Sequence, residues 1–317
     1  MTSRLSGGPQ WVCPARDVLV SVVVPSLNQA AFIGDCLLSI VSQTHRPLEI
    51  VVMDGGSTDN TVPILRSFCR ADFDVKFRWT SGPDGGHPDA VNMAFAVATG
   101  EVVGWLNSDD FYYDRDVIGR AVATLRSDPG VDVVYGDTAI IDENGYVLMF
   151  WCFPEYQPRR AWRGFTLPQP SVFLRQRVIR EEKLDETLKV ALDFEYWLRL
   201  GRKYRFAHVG AVQSVDRDQP ARISHQRRGE LLRTHQEIME RYRAEYGNPT
   251  VLERGGDLVL RPCLRLRGTY RCVRFAAGFE DPRLCIGLES DGICRLLRRQ
   301  LLGRLGHLPR GRARKPA

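Results

Sequence analysis

The sequence predicts an α/β fold in which a mostly parallel sheet is flanked by helices, and three observations carry that expectation. Continuous apolar runs rich in β-branched residues, above all Val18 to Val24, have the character of strands buried on both faces. These runs alternate with stretches whose apolar residues recur at helical spacing, the βαβ order of a parallel sheet. Several runs also end abruptly in carboxylates and glycines. In an open α/β sheet that edge is where ligands bind.

The elements follow in order. Residues 1–17 read as an unstructured leader. Val18 to Val24 is the first strand, stopped by Pro25. Asn28 is placed to cap a helix through Phe32, Ile33, Cys36, Leu37, Ile40 and Val41. Leu48 to Met53 is the second strand and ends in Asp54-Gly55-Gly56-Ser57-Thr58-Asp59. A helix from Asn60 to about Arg70 follows. Val75 to Trp79 is a third strand, then a turn, Ser81-Gly82-Pro83-Asp84-Gly85-Gly86, then a helix capped by Asp89. Val102 to Leu106 is the fourth strand and ends in Asn107-Ser108-Asp109-Asp110. Right-handed crossovers bring these strand ends to one edge.

Beyond it lie a helix at 116–127, strands at 131–137 and 146–153 joined by an Asp142-Glu143-Asn144-Gly145 turn, and an aromatic, arginine-rich loop at 154–170. A short strand at 171–174 and helices at 178–183 and 188–204 come next. A strand at 206–215, a polar loop at 217–222 and a charged helix at 228–246 complete this region. Gly247-Asn248-Pro249 stops the last helix.

Apolar content of 44% and charged content of 26% over 317 residues are those of an ordinary globular protein. No apolar run approaches the ~18–20 residues that span a bilayer. Met1 to Gln10 carries no apolar signal core, so the expected location is the cytoplasm. The eight cysteines form no C-x-x-C pair, and their gaps are too long for paired zinc knuckles, so reduced thiols are expected. Charge is uneven. Residues 261–317 hold fourteen Lys+Arg against Glu280, Asp281, Glu289 and Asp291, a net +10, which leaves the rest of the chain at about −4 of the total +6.

Asp54, Asp59, Asp84, Asp109 and Asp110 therefore gather at one crevice. Carboxylates held together are costly unless a cation lies between them. A divalent metal carrying a diphosphate suits that charge, while Gly55, Gly56, Gly85 and Gly86 let backbone approach phosphates. Asp54 suits a base N–H or a sugar hydroxyl. Read alone, Asp109 or Asp110 serves equally as a helix N-cap.

Val22-Val23-Val24-Pro25-Ser26-Leu27-Asn28, Asp54 to Asp59, Asp84-Gly85-Gly86 with Asp89-Ala90-Val91-Asn92, and Asn107-Ser108-Asp109-Asp110 together resemble family 2 glycosyltransferases. The resemblance covers roughly residues 18–245. It implies a GT-A fold (Rossmann-like, mostly parallel sheet between helices), a nucleotide-sugar donor, a divalent metal (Mn²⁺ or Mg²⁺) and inversion at the anomeric carbon. By position it implies that Pro25, Ser26, Asn28, Asp54, Gly55, Asp59, Asp84, Gly85 and Gly86 line the nucleotide side. Asn107 and Asp109 would contact the donor, with Asp109 and Asp110 at the metal. Asn107 stands where many relatives carry Asp, and a neutral amide there lowers the charge at the metal.

Leu192-Asp193-Phe194-Glu195-Tyr196-Trp197-Leu198-Arg199 resembles the family's acidic helix start, which implies Asp193 as general base. Glu195 points about 200° away around a helix. The competing reading makes Asp193 a helix N-terminal residue favoured by the dipole. Gln169-Pro170-Ser171 resembles the segment that lines the acceptor pocket. His225 occupies the region where relatives present a histidine to the metal, and a surface histidine is the alternative. Arg217 or Arg222 could instead hold the diphosphate.

The expected organisation is a leader (1–17), a GT-A domain (18–246) and a basic, partly helical C-terminal extension (247–317). Within residues 290–317, Leu296 to Leu305 mixes leucine and arginine at helical spacing, ahead of a basic end expected to be disordered. That suits peripheral contact with anionic membrane beside a glycan or lipid-linked acceptor, or equally a helix packed on the domain. Few aromatics interleave the basic residues, so nucleic acid is not an expected partner. Two rivals remain. A sugar nucleotidyltransferase would normally carry a glycine-rich basic loop where Pro25-Ser26-Leu27-Asn28 stands. The other is a non-catalytic nucleotide-sugar-binding relative docking through the basic tail.

Overall fold

A computed structural model describes residues 18–71, 73–251, 253 and 265–271. The leader, five of the cysteines and the stretch 290–317 lie outside the described residues.

The first half is the expected succession: β1 (Val20–Ser26), α1 (Ile33–Val41), β2 (Leu48–Asp54), α2 (Thr61–Arg70), β3 (Lys76–Ser81), α3 (His87–Val97) and β4 (Val102–Trp105). Then come β5 (Phe111–Tyr112), α4 (Val117–Ser127), β6 (Val133–Asp142), β7 (Tyr146–Trp151), α5 (Pro158–Trp162), a 3₁₀ turn (Gln169–Ser171), β8 (Phe173–Arg175) and α6 (Gln176–Glu181). The chain continues through α7 (Leu192–Leu200), β9 (Phe206–Asp218), α8 (Ile223–Gln226), α9 (Arg228–Arg241), α10 (Arg243–Tyr246) and β10 (Arg265–Arg271).

One sheet runs β10-β7-β6-β8-β4-β1-β2-β3, with β9 pairing β5 and β6. From β4 to β3 it is parallel. Beyond β4 the pairings are mainly antiparallel, with β6 and β9 the parallel exception. Residues 265–271, assigned to the extension, add an antiparallel edge strand against β7.

Strand alternation divides β1 between two cores. Val20, Val22 and Val24 face Ile33, Leu37 and Ile40 of α1 and the apolar side of α4. Val23 packs with Val51, Val103 and Trp105 against Val91 and Phe95 of α3 and Tyr196 and Trp197 of α7. Trp105 and Trp197 lie 6.3 Å apart between ring centroids, so the last residue of β4 seats α7. A third cluster, Trp162, Phe194, Leu198, Ile238 and Tyr242, holds α5 and α9 on the other side of α7.

Several element ends differ from expectation. Asn28 does not cap α1; it takes a left-handed conformation (φ 54°) and its Oδ1 accepts the Thr58 N–H at 2.9 Å. Asp89 lies inside the first turn of α3, and its Oδ2 accepts the Gly85 N–H at 2.8 Å. α7 is shorter than the run of apolar spacing because Ala191, also left-handed (φ 56°), sets its start. Tyr242, at φ −93° and ψ −1°, breaks the final helix into α9 and α10. β9 continues to Asp218, so Arg217 lies in a strand and not in a loop.

Candidate active site

The strand register brings the acidic ends together. Ser26 pairs with Asp54, and Asp54 with Ser81, so β1, β2 and β3 finish level. β4 ends beside Val23, and the Leu106 N–H donates to the Val23 carbonyl at 3.0 Å. Asn107 to Asp110 therefore emerge on the same edge.

On the side of β1 and β2 most polar groups are spent on each other. Asp54 is 3% exposed; it accepts from the Ser57 N–H at 2.9 Å, from the Ser57 hydroxyl, and from Ser81 Oγ at 2.6 Å. Its carboxylate shapes the loop, and its Oδ1, with the Ser57 hydroxyl as its one donor among the described residues, keeps acceptor capacity. Asp59 accepts from Ala30 N–H (3.0 Å) and Thr61 N–H (2.9 Å), which ties the β1 loop to α2. Against the opposing effect of burial, the Thr61 side chain and these N–H donors hold the Asp59 carboxyl below its usual range. The Ser26 hydroxyl is buried and has no hydrogen-bond partner among the described residues.

Gly55 is required for contact between strand ends: a Cβ there would lie 2.9 Å from Asp84 Oδ2. Asp84 Oδ1 accepts the Gly86 N–H at 2.8 Å. Gly86 adopts φ +106°, which a side chain would strain. The amides of Gly85 and Gly86, expected to face phosphate, are thus held by Asp89 and Asp84.

Asn107 is committed inside the protein. Its Oδ1 accepts from Trp105 Nε1 (3.1 Å) and bonds His87 Nε2 (3.1 Å), and its Nδ2 donates to Gln169 Oε1 (2.8 Å). Gln169 Nε2 closes the set by donating to the Trp105 carbonyl at 2.7 Å. Gln169, in the segment expected to line the acceptor pocket, thereby buttresses the fourth strand end.

Asp109 is half-buried. Its Oδ2 accepts from Gln219 Nε2 at 3.2 Å, and among the described residues no donor reaches Oδ1. Asp110 is 2% exposed and accepts the Arg217 N–H at 3.0 Å. Burial pushes the Asp110 carboxyl well up, and Asp216 and Asp109 beside it add to that. Asp216 is pushed up the same way, restrained by its ion pair with Arg222 at 2.6 Å. Neither arginine weighed for the diphosphate is free: Arg222 holds Asp216, and Arg217 pairs with Asp35 at 3.0 Å. His225 is a surface residue paired with Asp218.

Asp193 sits in the first turn of α7, half-buried, and none of the described residues ion-pairs with or donates to its carboxylate. Its charge acts on two rings, His87 and His235. His235 stacks on Phe194 at 4.6 Å. Glu195 faces away, 3% exposed, bonded to Arg199 at 3.0 Å and Tyr242 at 3.3 Å. His87 meets the charges of Asp84, Asp109 and Asp193 together. The sequence reading missed His87, Gln219 and His235. His87 directly follows the glycine pair, a signal that was available; Gln219 and His235 have none.

Residues 21–187 match the family model described as glycosyl transferase family 2. A mycobacterial relative, the PGL/p-HBAD biosynthesis glycosyltransferase of Mycobacterium tuberculosis, is 35% identical over 126 residues, 40% of this chain and 49% of that protein. The chondroitin synthase of Pasteurella multocida is 26% identical over 198 residues, 62% of this chain and 20% of that protein. The chain thus spans between a fifth and a half of the length of these relatives. Among solved structures, S. aureus TarS 1-349 in complex with UDP superposes with a TM-score of 0.54 at 20% identity, covering 76% of this chain and 69% of that one. The mannosyltransferase PcManGT from Pyrobaculum calidifontis, in complex with GDP-Man and Mn²⁺, gives 0.54 at 22% identity, covering 73% and 69%. The fold is GT-A, and the chain belongs to glycosyltransferase family 2.

Proposed function

We propose that this protein transfers a sugar, with inversion, from a nucleotide-sugar donor to a hydroxyl of a glycan or lipid-linked acceptor. The observation that carries this is that α7, whose first turn holds Asp193, packs on the end of β4 through Trp105 and Trp197, 6.3 Å apart. A half-buried carboxylate with no described partner thus lies on the helix packed against the strand that runs on to Asp109. Inverting transfer needs one base to take the acceptor proton on the side opposite the leaving group. Asp193 supplies that carboxylate, and Glu195, locked by Arg199 and Tyr242, does not.

The nucleotide side is supported by the buried, unpartnered Ser26 hydroxyl beside the Asp54 and Asp59 loops. Pro25 and Asn28 would frame that pocket, with Gly55 and Asp84 at its floor. A divalent metal fits on one count: burial pushes the Asp110 and Asp216 carboxyls up and the neighbouring Asp109 charge adds to it, a repulsion that a cation relieves. Asp109 Oδ1 would hold it directly, with Asp110 as a charged neighbour behind. No group of three ligating side chains is arranged as a complete metal cage among the described residues. Most of the coordination would then come from donor and water. When bound, such a metal supplies positive charge to the departing diphosphate. Asn107 lowers the charge there and so favours a weakly held ion.

The relatives' names support assembly of cell-surface glycans as the setting. A cytoplasmic location, with peripheral contact through residues 290–317, is proposed on the basic composition of that stretch. The test is calorimetric titration with UDP-, GDP- and dTDP-sugars, each with Mn²⁺ and with EDTA. One donor class binding tighter with Mn²⁺ is expected, and a protein that binds none of them overturns the reading.

A further inference from the structure

His87 opens α3 directly after the Gly85-Gly86 turn and bonds Asn107 just beyond the end of β4, which places its ring where the acidic strand ends gather. The charges of Asp84 in the turn after β3, Asp109 in the turn after β4 and Asp193 in the first turn of α7 act on the ring. The ring is gripped on one side only. It meets Trp105 edge-on at 5.8 Å, and its Nε2 lies 3.1 Å from Asn107 Oδ1.

The hydrogen positions follow from the partners. The Trp105 indole can only donate, and it reaches the same Asn107 atom at 3.1 Å, so that atom is the amide oxygen. Asn107 Nδ2 donates to Gln169 Oε1 and Gln169 Nε2 to the Trp105 carbonyl, which agrees with that assignment. An amide oxygen accepts, so His87 Nε2 carries the proton. In the neutral imidazole Nδ1 is then bare, and burial, by lowering the ring's proton affinity, favours that neutral form. No described residue hydrogen-bonds Nδ1. A ring locked in one tautomer, with Nδ1 an acceptor unpartnered among the described residues, suits a ligand that brings a donor.

We propose that His87 is a specificity-determining residue whose Nδ1 accepts a hydrogen bond from a hydroxyl of the transferred sugar. This rests on the glycosyltransferase reading above and deepens it. The sugar would lie between Asp109, on the diphosphate side, and Asp193, on the acceptor side. The ligand class is a polyhydroxylated hexose with a hydroxyl directed at the imidazole. A deoxy or O-methyl sugar at that carbon would be rejected, because it leaves the acceptor without a donor.

The experiment separates the two nitrogens. In His87→Gln the side-chain amide reaches the Nε2 position and preserves the bond to Asn107, but leaves nothing at Nδ1. Calorimetry with UDP, GDP and the matching nucleotide sugars in Mn²⁺ gives, for each variant, the affinity ratio of nucleotide sugar to bare nucleoside diphosphate. Wild type is expected to bind one nucleotide sugar tighter than its diphosphate. His87→Gln should keep diphosphate binding within about twofold and lose roughly tenfold in that ratio. An unchanged ratio in His87→Gln overturns the role of Nδ1 while leaving the glycosyltransferase reading intact. Equal losses for diphosphate and nucleotide sugar overturn it too, because they mark a structural role. Failure of the wild type to bind any nucleotide overturns the glycosyltransferase reading itself.

Discussion

Arg217 and Asp110 are joined through the backbone: the Arg217 N–H donates to Asp110 Oδ1 at 3.0 Å, while the side chain turns to Asp35 and the Asp109 carbonyl. The guanidinium is 5% exposed as a residue and stacks on Phe32 at 4.8 Å and Phe111 at 5.6 Å. One residue of β9 thereby fixes α1 and the loop after β4. Arg217→Ala removes two charge-assisted donors, one to Asp35 and one to the Asp109 carbonyl, at about 2–4 kcal/mol. Lysine cannot fork to both partners while stacking, so Arg217→Lys should recover little. Urea unfolding with an unchanged slope measures this; a variant within 0.5 kcal/mol (roughly the scatter of inert surface changes) would contradict it.

Glu49 predicts how stability responds to acid. It is fully buried at the far end of β2, and burial alone would push its carboxyl up. Bonds from Ser21 Oγ (2.5 Å), Thr99 N–H (2.8 Å) and Lys76 (2.9 Å) outweigh that and hold it at about 2, against an ordinary 4.5. A depressed carboxyl contributes stability above its unfolded value and loses it as pH falls toward about 2. The difference corresponds to about 3 kcal/mol at neutral pH. Glu49→Gln should therefore melt lower at pH 7, with the gap closing between pH 4.5 and 2. A gap independent of pH would refute the linkage.

The parallel half of the fold was legible because its strands are continuous β-branched runs and its turns begin with acids. Val20–Ser26, Leu48–Asp54 and Val102–Trp105 each fall within a residue or two of expectation. The antiparallel half was less so, since β8 is three residues long and finds its partners by tertiary packing. Inside the site, residue positions were legible and their commitments were not. Asp54 read as ligand-facing, and nothing along the chain signals that Ser81, 27 residues on, also donates to its carboxylate. The partners of Asn107 lie 20 and 62 residues away, and Gln219 reaches Asp109 across 110. Spacing along the chain carries no trace of such pairs.

Asp193 and Glu195 are neighbours with opposite environments, so their variants should part. Asp193→Asn removes a carboxylate with no described partner. It should leave the melting temperature and donor affinity nearly unchanged while turnover falls roughly 10²–10⁴-fold. Glu195→Gln weakens a buried pair with Arg199 and should cost about 1–3 kcal/mol of stability, with turnover of the folded fraction retained. Single-turnover kinetics beside thermal melts distinguish them. Normal turnover in Asp193→Asn would remove it as the base.

The basic stretch 290–317 can be tested without its structure. Liposomes rich in anionic phospholipid should pellet the full chain at low salt, and less at high salt, through arginine attraction to the surface. Deleting residues 290–317 should abolish the difference. Equal pelleting of both forms would end the membrane proposal.

Asp110 sets stability against function. Burial, Asp216 and Asp109 push its carboxyl up, so at neutral pH its charge opposes folding. A group raised in the fold stabilises at low pH and loses that contribution as pH rises through its folded value. Asp110→Asn keeps an oxygen for the Arg217 N–H and removes the repulsion. In EDTA it should melt at or above wild type at pH 7, and the advantage should fade toward acid. The same neutral side chain withdraws charge from any cation at Asp109, so Mn²⁺-dependent donor binding should weaken by tenfold or more, on the order of 1–3 kcal/mol. Melts in EDTA across pH and titrations in Mn²⁺ read the two effects separately. A variant that is less stable in EDTA yet binds donor as wild type would mean that Asp110 is a structural acid, indifferent to the metal.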